Sequence, residues 1–368
     1  MKAGRLLVIV AGVCICLVLV YTIGLNAISS VEYNRADAET KNATTSTATV
    51  AKTPVLPALD KAAYDAKLLA LANRPRVATS TGTSTPKAAS TTPKIYLWPA
   101  KAPYPNAGAL LPFKRIVAYY GNFYSKGMGV LGKYPPSQMI PMLQAAAAEW
   151  LAADPTTPVV PAIDYIAVTA QGSAGKDGKY RLRMPDSQID EALTLADQVH
   201  GIVILDVQVG LSTVQTEVPL LAKYLAMPNV HLALDPEFAM HGGAKPGTVI
   251  GSLDATDINW AANYLAKIVQ DNNLPPKILV IHRFTEEMVT HYKQITPLPE
   301  VQVVMDMDGW GSPAKKNGTY TRVIAPEPVQ FTGFKLFYKN DLLAPSTRMM
   351  TPSEVLRLAP APSFIQYQ

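Results

Sequence analysis

The 368-residue chain is 48% hydrophobic and 17% charged, with a formal net charge of +5 and a pI near 8.9. Such a length allows one large or two ordinary domains, and the mild positive charge is spread without a Lys/Arg block, which argues against a nucleic-acid partner. Both cysteines, Cys14 and Cys16, fall in one apolar run, so the rest of the chain has no disulfide, no cysteine nucleophile and no thiolate metal site.

That run comes first in chain order. Residues 6–25 carry no charge, and about 20 apolar residues rising 1.5 Å each match a hydrocarbon core of roughly 30 Å. Residues 1–5 read as a short cytoplasmic N-terminus and 6–28 as a transmembrane anchor. Lys2 and Arg5 precede the run, whereas Glu32, Asp37 and Glu39 follow it. The positive-inside bias therefore predicts a single-pass cell-membrane protein with an extracytoplasmic C-terminal domain. A cleaved signal peptide is the rival, with Ala27 and Ser29 as small residues near a cleavage site, but the run exceeds the usual span of about 7–15 residues. Both readings export the domain.

Residues 29–93 shift to Thr, Ala, Ser and Pro. Such a composition buries too little surface to offset ordering entropy, so the segment reads as a flexible tether. A coil of about 60 residues spans roughly 45 Å. Within it, 58–73 has the propensity for a short helix.

Residues 94–368 alternate between short Val/Ile-rich runs and helical stretches. Candidate strands are 115–120, 159–167, 202–209, 230–235, 278–282, 301–307, 333–338 and 363–367. Candidate helices are 137–153, 186–199, 213–226, 255–271 and 286–294, with 314–330 read as a loop and 352–358 as a short helix at most. Eight strands with intervening helices predict an α/β fold, a single (β/α)8 barrel. An open doubly wound sheet is the competitor, but the first turn, 121–125, lacks the G-x-G-x-x-G spacing, and no cofactor is expected.

A barrel carries its functional residues at the C-terminal strand ends. Those ends hold Tyr120, Asp164, Asp206, Gln208, Asp235, Glu237, His282, Asp306, Asp308, Lys335 and Gln366, with Trp310 in the loop after strand six. Strand alternation puts Asp306 and Asp308 on one face and Met305 and Met307 on the other. The same logic turns Asp235 and Glu237, and Asp206 and Gln208, inward. Asp at a strand end is often only a turn residue or helix cap, but polar inward positions on successive strands cost several kcal/mol each unless paired. A ring of paired carboxylates suits glycoside hydrolysis, in which one acid protonates the leaving oxygen and a second carboxylate acts as nucleophile or base. Tyr119, Tyr120, Phe123, Tyr124, Phe238 and Trp310 are expected at the rim, where rings can stack on sugars.

His231–Glu237, ending in Asp-Pro-Glu, resembles the D-x-E strand-four ending of chitinase-like and muramidase-like glycoside hydrolase barrels. That resemblance implies Glu237 as proton donor and Asp235 as its assisting carboxylate, with Asp306 or Asp308 as a further carboxylate. Val230 and Ala233 stand where the full chitinase signature has Asp, and Tyr119–Tyr120 where the muramidase-like group has Asp. The domain also resembles exported bacterial barrel proteins with an LDPE segment, here Leu234–Glu237, a GWG-like loop, here Gly309–Gly311, and a final F-I-x-Y strand, here Phe364–Tyr367. The expectation is a membrane-anchored glycoside-hydrolase-like protein acting on an envelope glycan. Catalytic residues are expected among Glu237, Asp235, Asp306 and Asp308, and substrate-binding residues among Asp164, Asp206, Gln208, His282, Lys335, Gln366, Tyr120 and Trp310. Alternatives are a metal-dependent hydrolase, opposed by the lack of H-x-H or H-E-x-x-H and leaving no metal expected, a non-catalytic glycan-binding or scaffold barrel, and a Schiff-base lyase through Lys335.

Overall fold

Eight apolar strands must be covered on both sides: closing the sheet on itself covers the inner face, and helices cover the outer one. A computed structural model describes residue 56, residues 58–73 and residues 96–368. The expected anchor at 6–28 and most of the expected tether lie outside the described residues. Among the described residues, no helix is long and apolar enough to cross a membrane.

The strands are β1 (Arg115–Gly121), β2 (Val159–Ala170), β3 (Ile202–Val207), β4 (Val230–Leu234), β5 (Lys277–Arg283), β6 (Val301–Met307), β7 (Phe331–Leu336) and β8 (Phe364–Tyr367). Each pairs in parallel with the next, and β8 pairs with β1 to close the ring. A short strand, Arg181–Arg183, adds antiparallel to the end of β2. The (β/α)8 expectation is met by this strand order.

Strand alternation divides the core in two. Ile116, Ala118, Ala162, Ile204, Ala233, Val280, Val304 and Phe364 meet inside the barrel. Val117, Ile163, Leu205, Leu232, Ile281, Met305, Met307 and Ile365 pack outward against helices. Gly333 lacks a side chain for a reason: a Cβ there would collide with Asp306 Oδ1 and Phe364.

Helix α1 (Lys61–Leu71) forms inside the segment expected to be flexible, with Asp60 capping it through a 2.9 Å bond from Ala63 N. It is docked on the N-terminal end of the barrel. Tyr64 is buried within the interior cluster beside Leu111, with Leu59 and Leu68 packed on it. Lys67 Nζ donates to Thr156 O at 2.8 Å and Asn73 Nδ2 to Leu358 O at 2.8 Å. Gln302 completes the floor by bonding both ways with the Leu111 backbone.

Helices α2 (Pro136–Ala153), α3 (Asp186–Gln198) and α4 (Ala255–Asn272) fall where periodicity places them. The expected helix 213–226 is broken into Val214–Glu217, a 3-10 turn Val218–Leu221 and Ala222–Leu225, because Pro219 has no N–H to give. The expected helix 286–294 is absent: Val289–Thr290 pairs with Leu253–Asp254 instead. The buried Arg283 takes the carbonyls of Thr285 and Glu286 at 3.1 and 2.7 Å, which removes them from any helical ladder. Conversely, the expected loop 314–330 opens with helix α5 (Pro313–Thr319), capped by Ser312 and continued by a π-helical turn Tyr320–Ile324.

If α1 is part of the barrel floor, Tyr64→Ala is expected to cost about 3 kcal/mol, as for other buried aromatic truncations. Leu69→Ala, on the exposed side of the same helix, is expected to stay within about 0.5 kcal/mol. Urea unfolding of both variants checks this, and equal midpoints would show an undocked helix.

Candidate active site

Successive inward residues on one strand lie about 6.6 Å apart along it, and this spacing sorts the polar residues into two depths. The upper set lines a cavity of about 580 Å³ at the C-terminal end of the barrel: Tyr120, Gln208, Asp235, Glu237, Asp308, Trp310 and Lys335. The lower set, Asp164, Asp206, His282, Asp306 and Gln366, is fully buried beneath it. Asp306 is therefore not beside Asp308 at the cavity wall, and Asp164, Asp206, His282 and Gln366 are too deep to touch a substrate.

The upper layer is built around the end of β4. Asp235 caps the 3-10 turn Pro236–Phe238, its Oδ1 accepting from Glu237 N at 3.0 Å. Its Oδ2 accepts from Gln208 Nε2 at 3.3 Å. Gln208 also donates to the Tyr120 hydroxyl at 3.2 Å and accepts from Ala170 N at 3.0 Å, which fixes its amide at both ends. Across β6 and β7, Lys335 Nζ donates to Asp308 Oδ2 at 3.0 Å and lies 3.9 Å from the centroid of the Tyr120 ring. This ammonium is thus held by a carboxylate and a ring face together.

In the lower layer, His282 Nε2 is 2.8 Å from Asp206 Oδ2. Its Nδ1 lies 3.2 Å from Asp306 Oδ2 and 3.4 Å from Asp308 Oδ2, close enough for charge but off the hydrogen-bond line. Gln366 Nε2 donates to Asp164 Oδ2 at 2.6 Å.

Burial opposes charge throughout. It pushes the Asp164 carboxyl up to about 8, with Asp206 adding to the rise. It raises Asp235 well above the usual range and raises Asp306 as well. Glu237 is pushed up to about 7, by burial first and then by the neighbouring Asp308. For His282, burial disfavours the cation, but the carboxylates of Asp206 and Asp306 outweigh it and hold the ring protonated well above its ordinary value. Lys335 likewise resists desolvation through Asp308 and is raised. The ion pair with Asp308 favours the ammonium form of Lys335, which opposes the Schiff-base reading. Among the described residues no three His, Cys, Asp or Glu side chains group to hold a metal ion.

The aromatic expectations divide. Tyr120, Phe238 and Trp310 line the cavity, joined by Phe284 and Phe337. Tyr119 packs outside the barrel against Tyr338 and Tyr367, and Phe123 stacks on Tyr165 at 4.8 Å. Lys315, Thr319 and Arg322 also line the cavity. Their helical spacing along α5 and the turn after it is the signal that a loop reading of 314–330 discards. A further support is the buried Lys316, which donates to Gly309 O at 2.8 Å and Lys335 O at 2.7 Å and pairs with Asp341 at 3.1 Å. Asp341 in turn accepts from Gly311 N and Phe337 N. This pair ties the ends of β6 and β7 together and so sets Asp308 against Lys335.

Asp164 supplies a pH test. Its folded-state proton is held up to about 8 whereas an unfolded Asp releases it near 3.8, so its contribution falls as pH rises from about 4 to 8. Asp164→Asn keeps an acceptor for Gln366 and removes that slope. Its Tm is expected to fall less than that of the parent between pH 5 and pH 8, by a few degrees or more. Parallel Tm curves would show that Asp164 is not held neutral.

No family model matches the chain, and no curated protein sequence does. Among solved structures the chain is similar to a GH5 xyloglucan-specific endo-beta-1,4-glucanase from a metagenomic library, in complex with cellotriose, at 12% identity over 70% of this chain and 87% of that one, with a TM-score of 0.35. It is similar to a GH18 chitinase from Pseudoalteromonas aurantia at 10% identity over 69% and 93%, TM-score 0.32. It is also similar to a ruminal GH26 endo-beta-1,4-mannanase at 10% identity over 70% and 59%, TM-score 0.33. Likeness at this level carries no argument about chemistry, which rests on the cavity itself. The chain is a parallel eight-stranded (β/α)8-type barrel whose structural neighbours are glycoside hydrolases.

Proposed function

We propose that the domain is a glycoside hydrolase acting on an envelope polysaccharide, with Glu237 as general acid, held outside the cell by an anchor at 6–28. The observation that carries the reading is Glu237 itself. Its carboxyl stands at the wall of an open, aromatic-lined cavity, on a turn fixed by Asp235, with its proton affinity raised to about 7. A glycosidic oxygen is a poor leaving group until protonated, and an acid that still holds its proton near neutrality can supply one.

The second carboxylate is Asp308. It lines the same cavity, it is close enough to Glu237 to push that group up, and Lys335 holds it by an ion pair. Developing positive charge on a sugar ring is stabilised by such a carboxylate. Asp235 acts as the positioning group for Glu237. Trp310, 46% exposed with Lys315 4.3 Å from its ring centroid, offers a flat face to a sugar.

Glu237→Gln is expected to lower turnover of an envelope glycan by at least about 100-fold, the usual share of a general acid, with an unchanged Tm. In the parent, kcat/KM is expected to fall above pH about 7 as Glu237 loses its proton. A panel of purified envelope polysaccharides assayed by reducing-end release provides the measurement. Full activity in the variant would remove Glu237 as the acid, and glycan binding without turnover in the parent would make the barrel a binding module.

A further inference from the structure

The cleft continues beyond the carboxylates. A second hollow of about 390 Å³ shares Gly127, Phe337 and Gln368 with the wall of the first, so the two are contiguous. Its character differs. Lys126, Lys133 and Lys339 line it together with Tyr134 and Tyr338, and no Asp or Glu does. All three lysines are exposed. The lysines that pair with carboxylates, Lys223, Lys267, Lys316 and Lys335, lie elsewhere. Among the described residues, Lys126, Lys133 and Lys339 have no carboxylate partner.

The walls that carry these charges are fixed. Tyr338 stacks on Tyr367 at 5.1 Å, and its hydroxyl bonds that of Tyr119 at 2.8 Å. The segment bearing Lys126 and Lys133 is pressed onto β1 through Gly129, at φ 153°, where any Cβ would collide with Tyr120 O. Three like charges lining one hollow repel one another, and an anion seated among them relieves that repulsion.

We propose that the cleft takes an acidic polysaccharide, with a carboxylate or phosphate on a unit adjacent to the one at Glu237 seated among Lys126, Lys133 and Lys339. This rests on the reading of the neighbouring cavity as a glycan site. Tyr134 and Tyr338 border the seat of that unit, and the lysines select its charge. Neutral glucans of the same length lack the anion and gain nothing from this part of the cleft.

The test is calorimetric binding to the full chain carrying Glu237→Gln, which removes turnover. The probes are oligogalacturonates, the same oligomers with their carboxyls reduced to alcohols, and the reduced oligomers phosphorylated at those alcohols. Acidic probes are expected to bind about tenfold tighter than the neutral one at low salt, and the gap is expected to close near 0.5 M NaCl. The triple variant Lys126→Ala, Lys133→Ala, Lys339→Ala is expected to lose that gap while keeping its Tm and its affinity for the neutral oligomer. Whichever acidic probe binds tighter identifies the anion. Equal affinity for acidic and neutral probes, binding of none of them, or an unaffected triple variant overturns the proposal. Lysine-dependent binding of acidic oligomers that the Glu237-bearing parent does not cleave leaves this inference standing and removes the hydrolase reading. Cleavage confined to neutral glycans does the reverse.

Discussion

The barrel mouth depends on one electrostatic constraint: six carboxyl groups crowd around two buried cations, while Lys315 and Arg322 stand further out on the cavity wall. Asp164, Asp206, Asp235, Glu237, Asp306 and Asp308 are the carboxyls, and His282 and Lys335 are the cations. Six negative charges against two positive ones cannot be sustained at low dielectric. The arrangement resolves this by assignment. Asp206 faces His282 and Asp308 faces Lys335 in direct contact. The other four, Asp164, Asp235, Glu237 and Asp306, are all shifted toward their neutral forms. Glu237 keeps its proton because burial, and then the neighbouring Asp308, oppose its charge more than Lys335 and His282 favour it.

This bears on why the lower layer is polar at all. A well-packed hydrophobic plug beneath the cavity would cost no more, since apolar replacements of buried ion pairs are often neutral or stabilising. The buried imidazolium reaches Asp206, Asp306 and Asp308 at once, and so connects β3, β5 and β6 beneath the carboxylate that faces the cavity. Lys316 and Asp341 do the same from outside, tying the ends of β6 and β7. Asp308 is thus braced from below, from the side and by Lys335. In the role proposed for Asp308, a carboxylate that stabilises charge on a substrate gains from such fixing, because its reorganisation has been completed on folding.

The fold and the inward direction of the carboxylates were legible in the sequence because both follow from period two: Met305 and Met307 outside force Asp306 and Asp308 inside. Depth was not legible. Alternation gives the face but not the height at which a residue stands relative to the rim, so Asp306 and Asp308, alike in sequence, part into floor and wall. Local competition for carbonyls was equally hidden. The segment 286–294 has helical propensity, yet Arg283 captures the carbonyls of Thr285 and Glu286. Reading 314–330 as a loop likewise hid Lys315, Thr319 and Arg322 as neighbours. The abundance of Thr, Ala, Ser and Pro that marks 29–93 as flexible concealed Tyr64, whose ring, with Leu59 and Leu68, docks α1 on the floor.

The D-x-E ending of β4 can be understood from these constraints without reference to any family. An Asp at a strand end is ordinarily a turn residue, and Asp235 does cap the turn that follows. The same side chain turns inward, where burial holds it toward the neutral form and Gln208 anchors its other oxygen. The turn it caps is only three residues long, Pro236–Phe238, with Pro fixing its first φ. That leaves Glu237 little freedom except at its own side chain, beside a cavity that supplies a neighbouring carboxylate. The structural and the chemical readings of Asp235 are therefore not alternatives. In the proposed reaction the cap is the means by which the acid is aimed, and losing either the cap or the burial would leave Glu237 an ordinary surface glutamate.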